Sequence, residues 1–239
     1  MDRVAGVDGC PGGWVVALED LGSGAVDSMW VETFADVLDL PQRPRIIGVD
    51  VPIGLLSGAE PGGRACDREA RKLLGPRGSS VFSPPARPAL DALRNGDAYA
   101  AVSAANRASS PAGIGLSKQT FGIMPKIADV DDAMTPELQD RVFEVHPEVA
   151  FSRANGCQLL PSKKRAEGRS ARERSLADLG YPPLDRWFRE PRPPRSRLDD
   201  LLDACIACWA AKRIATGDAQ RVPPHPPTDA RGLRMEIWS

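Results

Sequence analysis

Two short apolar runs in this chain each end in an aspartate, and that placement constrains the fold more than any other feature. Val4-Ala5-Gly6-Val7 leads into Asp8, and Ile46-Ile47-Gly48-Val49 leads into Asp50. Apolar runs of this length, bounded by turn residues, read as buried strands. A carboxylate at the end of a buried strand is costly unless a cation or a polar group receives it. A third acidic group, Asp199-Asp200-Leu201-Leu202-Asp203, opens an apolar helix late in the chain. Acids on three separated elements can meet only if the fold collects them.

The first fifty residues predict how two of them meet. Residues 4–7, 14–19 and 25–31 read as three strands joined by the glycine-rich turns at 9–13 and 22–24, an antiparallel meander. Thr33 can cap a short helix at 34–38 that Pro41 and Pro44 bring to an end. With a helix intervening, the strand at 45–50 can lie parallel to the first, placing Asp8 beside Asp50. The region from 52 to about 132 is rich in glycine, proline and serine. It predicts helices at 65–74 and 97–108 within an irregular insertion or cap, carried by a single domain over 1–239. Beyond it come a strand at 141–146, a short helix from Pro147 and a helix ending at Gly180. A proline- and arginine-rich loop at 182–197 then precedes a long helix at 198–216. Residues 232–238 read as a short edge strand or apolar clasp.

Composition excludes several function classes. In 239 residues, 42% hydrophobic and 26% charged, there is enough apolar material for a full core. The net charge of -1 provides no global positive field for nucleic acid, so any such contact must use a local patch. The amino terminus lacks a basic stretch followed by a long apolar one, and no run approaches the roughly 18–20 apolar residues of a membrane span. The expectation is a cytoplasmic protein without membrane association. Five cysteines at irregular spacing argue against a disulfide framework, and Cys205 and Cys208 read as buried helix positions rather than a zinc or redox pair.

Each acid also has a bland explanation. Asp199 suits a first helical turn, and Asp8 and Asp50 could be turn aspartates. Asp203 has no such local reason. It lies a turn inside an apolar helix and shares a face with Asp199 and Asp200. Together Asp8, Asp50 and Asp203 form a coherent oxygen-ligand set for a hard divalent cation. Among the basic residues, Arg64, Arg68 and Arg71 read as a solvated helix face, and Lys163-Lys164-Arg165 as a solvated stretch. Arg77, Ser79, Ser80, Lys118 and Gln119 lie in predicted loops near glycines and are the candidate substrate contacts.

Several segments jointly resemble a known family. They are Val-Asp-Gly-Cys-Pro-Gly-Gly-Trp at 7–14, Asp-Val-Pro-Ile-Gly at 50–54 and Arg-Gly-Ser-Ser-Val-Phe at 77–82. Glu-Val-His-Pro-Glu at 144–148 and Gly-Leu-Arg-Met-Glu-Ile-Trp at 232–238 complete the set. This pattern looks like domain of unknown function 429, described as predicted ribonuclease H-like nucleases. The element order, with acids on the first strand, the fourth strand and a late helix, resembles the resolvase branch of that superfamily. The resemblance implies an α/β fold: a ribonuclease H-like mixed sheet, three antiparallel strands then parallel ones, flanked by helices. It further implies a metal-dependent nuclease in which Asp8, Asp50 and Asp203, with Asp200 as a further ligand, hold two Mg²⁺ or Mn²⁺ ions about 4 Å apart. Glu144 is a fourth candidate catalytic acid, at a strand end. Nucleic acid or another phosphoester is the implied substrate. Two other readings compete. One is a phosphotransferase of the actin-like superfamily, because Asp8-Gly9 followed by Gly12-Gly13 resembles its first phosphate hairpin. The other is a non-catalytic binding module that kept the fold.

Overall fold

A computed structural model describes residues 2–184 and 198–239. The proline- and arginine-rich loop anticipated at 182–197 therefore lies, from residue 185 on, outside the described residues. The chain divides into two compact units, Met1–Asp50 with Asp140–Gln220 and Trp238–Ser239, and Val51–Gln139 with Arg221–Ile237.

The first unit is a five-stranded mixed sheet with helices on it. Strands β1 (Arg3–Cys10), β2 (Gly13–Asp20) and β3 (Val26–Val31) form the meander, and α1 (Phe34–Leu38) leads to β4 (Ile46–Val49). Strand β5 (Val142–Glu144) completes the order β3-β2-β1-β4-β5, with β1 central and β4 and β5 parallel to it. This is the mixed α/β sheet expected from the sequence. Thr33 starts α1 through a reciprocal capping box with Asp36, and the helix ends at Asp39, ahead of Pro41 and Pro44, so that the chain returns to the sheet after little more than a turn. Helices α6 (Pro147–Ala154), α7 (Ala166–Asp178) and α8 (Leu198–Thr216) follow. Two short strands, β6 (Arg221–Val222) and β7 (Ile237–Trp238), form a separate two-stranded ladder. Of the edge strand or clasp anticipated at 232–238, only Ile237 and Trp238 are strand. Trp238 also bridges Val145 and packs edge-on against Phe143 at 5.4 Å.

Strand β1 is longer than its apolar run suggests. It continues through Asp8 to Cys10 because its antiparallel ladder with β2 extends to a turn at Pro11-Gly12, where Gly12 takes φ 89°. Asp8 therefore lies inside β1, opposite Val15, rather than at its end. Its parallel ladder with β4 does stop at Val7–Val49, so Asp8 and Asp50 are the next residues on neighbouring strands.

The face of the sheet that carries these acids is pressed against α8. Alternation puts Gly6 on the same face as Asp8, and Gly48 on the same face as Asp50. A Cβ at Gly6 would lie 2.0 Å from the Cys208 amide nitrogen and 2.1 Å from the Ala204 carbonyl oxygen, and one at Gly48 2.7 Å from the Ala207 oxygen. Only glycine at both positions lets the helix backbone sit this close. On its side the helix offers buried Ala204, Ala207, Cys208 and Ala211. Cys205 and Cys208 are free, buried thiols, and the Cys208 thiol is pushed up to about 12 by burial and by Glu19, in keeping with an inert packing role.

The second unit is more helical than its composition suggests. Besides α2 (Ala65–Leu74) and α4 (Tyr99–Ala108) it contains α3 (Arg87–Arg94) and α5 (Lys118–Ala133). Their signals are obscured by Pro88 at the start of α3 and by Gly122 and Pro125 inside α5. The burial of Thr120, Met124, Ile127, Val130 and Asp131 at helical spacing overrides that poor propensity. Arg64 is not on a solvated face but buried, pairing with Asp67 at 2.7 Å and donating to the Ile53 and Gly54 carbonyls at 3.0 and 3.2 Å. Asp131 receives Arg94 and Arg87, and Asp229 accepts from the Leu55 amide at 3.0 Å as well as from Arg87. No helix among the described residues is long and apolar enough to cross a membrane.

The helix–sheet contact gives a direct test. Gly6→Ala should cost at least about 3 kcal/mol, since helix backbone rather than a flexible side chain must move. Gly22→Ala, whose Cβ meets nothing nearer than 3.5 Å, should leave the urea midpoint nearly unchanged. Equal midpoints for the two variants would mean that close approach of α8 is not what holds this face.

Candidate metal centre

Register and helix position bring three acids to one point. Asp8 and Asp50 follow the last pair of the β1–β4 ladder on the α8 face. Asp203 projects from the second turn of α8, just before Ala204, which touches Gly6. One carboxylate oxygen from each of Asp8, Asp50 and Asp203 lies within 4.8 Å of the others. Opposite ligands of an octahedral Mg²⁺ lie about 4.2 Å apart, twice a bond of about 2.1 Å, so small side-chain rotations would bring this set into range.

The electrostatics show a cluster short of positive charge. Burial, followed by the charges of Asp50 and Asp203, holds the Asp8 carboxyl well above the ordinary aspartate value, and Asp200 adds to the effect. Asp50 is raised well above its usual value by burial and by Asp203, with Glu144 and Glu148 contributing. Asp203, only 3% exposed, is raised by burial against the lowering influence of Lys163. Its Oδ2 accepts from the Lys163 ammonium, whereas its buried Oδ1 has no hydrogen-bond partner among the described residues. Burial alone would lower the lysine pKa. The carboxylates of Asp203, Asp50 and Asp8 outweigh it and hold Lys163 above the ordinary lysine value.

A second ring of charge lies around this group. Glu148, in the first turn of α6, accepts at both carboxylate oxygens from a single guanidinium nitrogen, Nη2, of Arg172 of α7, at 2.6 and 2.8 Å. Arg172 is fully buried, also donates to the Pro161 and Gly168 carbonyls, and lies over the Phe151 ring. Glu144 pairs in register with Val49, so strand alternation sends it with Val49 rather than with Asp50. It is buried and is not one of the three grouped acids, though its charge still reaches Asp50. Asp200 is likewise outside the trio and acts on Asp8 through its charge.

Three further residues take part in the charge around the site. Lys163 pairs with Asp203 instead of being merely solvated, so Asp203 does have a structural partner. Glu148 and Arg172 form a buried ion pair. Glu148 carried a signal, as the acid next to a proline at a helix start. Arg172 and Lys163 carried none, because each lies in a strongly polar stretch where most cations are solvated.

The anticipated substrate contacts all belong to the second unit. Arg77, Ser79 and Ser80 lie in a 3₁₀ turn, Gly75–Ser80, where the Ser80 hydroxyl donates to the Arg77 carbonyl at 2.8 Å. Lys118 and Gln119 occupy the first turn of α5, capped by Ser117, rather than a loop. Ser79 and Gln119 line one cavity.

Donor chemistry fits a hard divalent cation. The three grouped residues offer only carboxylate oxygens, Asp203 carries a buried Oδ1 without a hydrogen-bond partner among the described residues, and the raised pKa values show the group under-neutralised by Lys163.

A family model described as a protein of unknown function, DUF429, matches residues 6–228. The chain belongs to the DUF429 family. That match takes in β1 with Asp8, β4 with Asp50 and α8 with Asp203, so the grouped acids all fall within the family domain. No curated protein and no solved structure matches this DUF429 protein.

Because the folded state raises the Asp8 and Asp50 pKa values, each contributes stability that is fully present below the unfolded value of about 4 and is lost as pH rises through the raised folded value. In EDTA, Asp8→Asn should therefore melt higher than wild type at about pH 7.5, and the gap should close as pH falls to about 4. Thermal melts across that range check this. A variant less stable than wild type at neutral pH would show that Asp8 is compensated by the protein itself.

Proposed function

We propose that this protein is a divalent-metal-dependent phosphodiester hydrolase, a nuclease of the ribonuclease H-like kind acting in the cytoplasm. This reading is carried by the meeting of Asp8, Asp50 and Asp203, one carboxylate oxygen of each within 4.8 Å of the others, with Asp203 Oδ1 buried and without a partner among the described residues. One buried and two half-buried acids that their neighbours do not fully neutralise are unstable together unless a cation is part of the working state.

In this reading Asp8, Asp50 and Asp203 hold Mg²⁺ or Mn²⁺, with Asp200 and Glu148 as outer acids that deepen the negative potential. The bound cation would supply an activated water and neutralise charge on the leaving oxygen. The remaining work falls to the chain itself. β1, β4 and α8 fix the three acids on rigid elements locked together at Gly6 and Gly48. Arg172 holds Glu148 by both oxygens, so that this acid keeps its orientation beside the cluster. Lys163, whose ammonium sits on a flexible stem and pairs with Asp203, would donate to a phosphate oxygen when a substrate enters.

A cleavage panel of RNA, single-stranded DNA and branched DNA with Mg²⁺ or Mn²⁺ tests the proposal. Wild type should cut at least one substrate in a strictly metal-dependent manner, and Asp203→Asn should lower turnover by at least about a hundredfold. Circular dichroism should show the variant still folded. No metal-dependent cleavage of any substrate would favour a non-catalytic binding module that retains the acids.

A further inference from the structure

We propose that a cavity lying wholly within the second unit is a binding site for a small organic phosphate, with a mononucleotide as the ligand class that fits it. This inference rests on the cavity's own walls and is independent of the metal centre.

The cavity measures about 480 Å³, within the range of roughly 300–1,000 Å³ typical of small-molecule sites. Part of its lining is apolar and rigid: Val81, Pro85, Ala86 and Leu116 are buried, and Phe82 and Pro84 are half-buried beside them. Flat apolar surface of this kind suits a planar ring rather than a flexible chain. The polar side of the lining is positive. Arg71 donates to the Val81 carbonyl at 2.9 Å, to Ser83 Oγ at 3.0 Å and to the Gly62 carbonyl, all neutral acceptors.

Its neighbours differ in this respect. Arg64 is matched by Asp67, and Arg68 by Glu60, the one acid in the cavity lining. Arg71 therefore brings to the cavity a guanidinium that is held in place but that no acid among the described residues neutralises. Ser117, Gln119 and Thr120, at the start of α5, also line the cavity, and that first turn contains no acid. The positive end of a sixteen-residue helix thus reinforces the charge of Arg71. An anchored guanidinium with spare N–H groups, hydroxyl and amide donors at Ser79 and Gln119, and an adjoining apolar wall together match a phosphate ester joined to a flat ring system. Such a phosphate can belong to a free nucleotide or to the 5′ end of a strand.

Calorimetric titration of the full chain in EDTA, with no divalent metal, separates these cases. AMP and CMP should each bind at least about tenfold more tightly than adenosine, cytidine or inorganic phosphate. Gln119→Glu places a carboxylate at the exposed rim and should weaken AMP binding about fivefold or more. Its melting temperature should hold or rise, since an acid suits the helix start. Arg71→Met should abolish binding. Because Arg71 also fastens the 62–83 segment, Gln119→Glu carries the test if that variant melts early. A 5′-phosphorylated hexanucleotide that displaces AMP would assign the phosphate to a strand end, and one that fails to displace it would assign the site to free nucleotides. The proposal is overturned if neither AMP nor CMP binds, if nucleoside or inorganic phosphate binds as tightly as nucleotide, or if Gln119→Glu leaves affinity unchanged.

Discussion

The backbone of α8 lies directly on the backbones of β1 and β4, and the candidate site depends on that contact. Gly6 and Gly48 remove the side chains that would hold the helix off, and alanines and a cysteine on the helix meet them. At such a distance the residue just before the first point of contact, Ala204, reaches the carboxyl end of the strands. Asp203 is that residue. A sheet with larger residues at 6 and 48 would hold the helix farther away and leave Asp203 out of range of Asp8 and Asp50. The packing of the core and the assembly of the acids are thus one geometric fact.

The two units handle buried acids in opposite ways. In the second, Asp131 would be raised by burial, yet the guanidinium groups of Arg94, Arg87 and Arg231 more than offset this and hold it below the ordinary carboxylate value. In the first, burial and mutual repulsion win, and Asp8, Asp50 and Asp203 all stand above that value despite Lys163. One chain therefore shows both a structural acid network and a deficient one. The deficit is what a divalent cation would fill, and it distinguishes this cluster from an ordinary ion-pair hub.

Much of this was legible in the sequence because it follows from local rules. The alternation of strands and turns, the capped helix at Thr33 and the crossover it implies determine that Asp8 and Asp50 are neighbours. The helical period places Asp203 a turn inside an apolar helix. What could not be read was whichever feature depends on long-range pairing of polar side chains. Lys163 and Arg172 sit among other cations, and nothing local marks the two that turn inward. Glu144 looked like a site acid from its position at a strand end, but the register with Val49, invisible without the sheet, decides its face. Helix α5 was hidden by Gly122 and Pro125, whose unfavourable propensity is overcome by burial.

The meeting point of Asp8, Asp50 and Asp203 is, in the function proposed above, a divalent-cation site. Anomalous diffraction from crystals soaked in Mn²⁺ tests it most directly. Manganese peaks are expected in contact with all three carboxylates, including Asp203 Oδ1, with Lys163 displaced from its present contact. Full soaking that leaves no manganese at this point, with Lys163 still bound to Asp203, would contradict it.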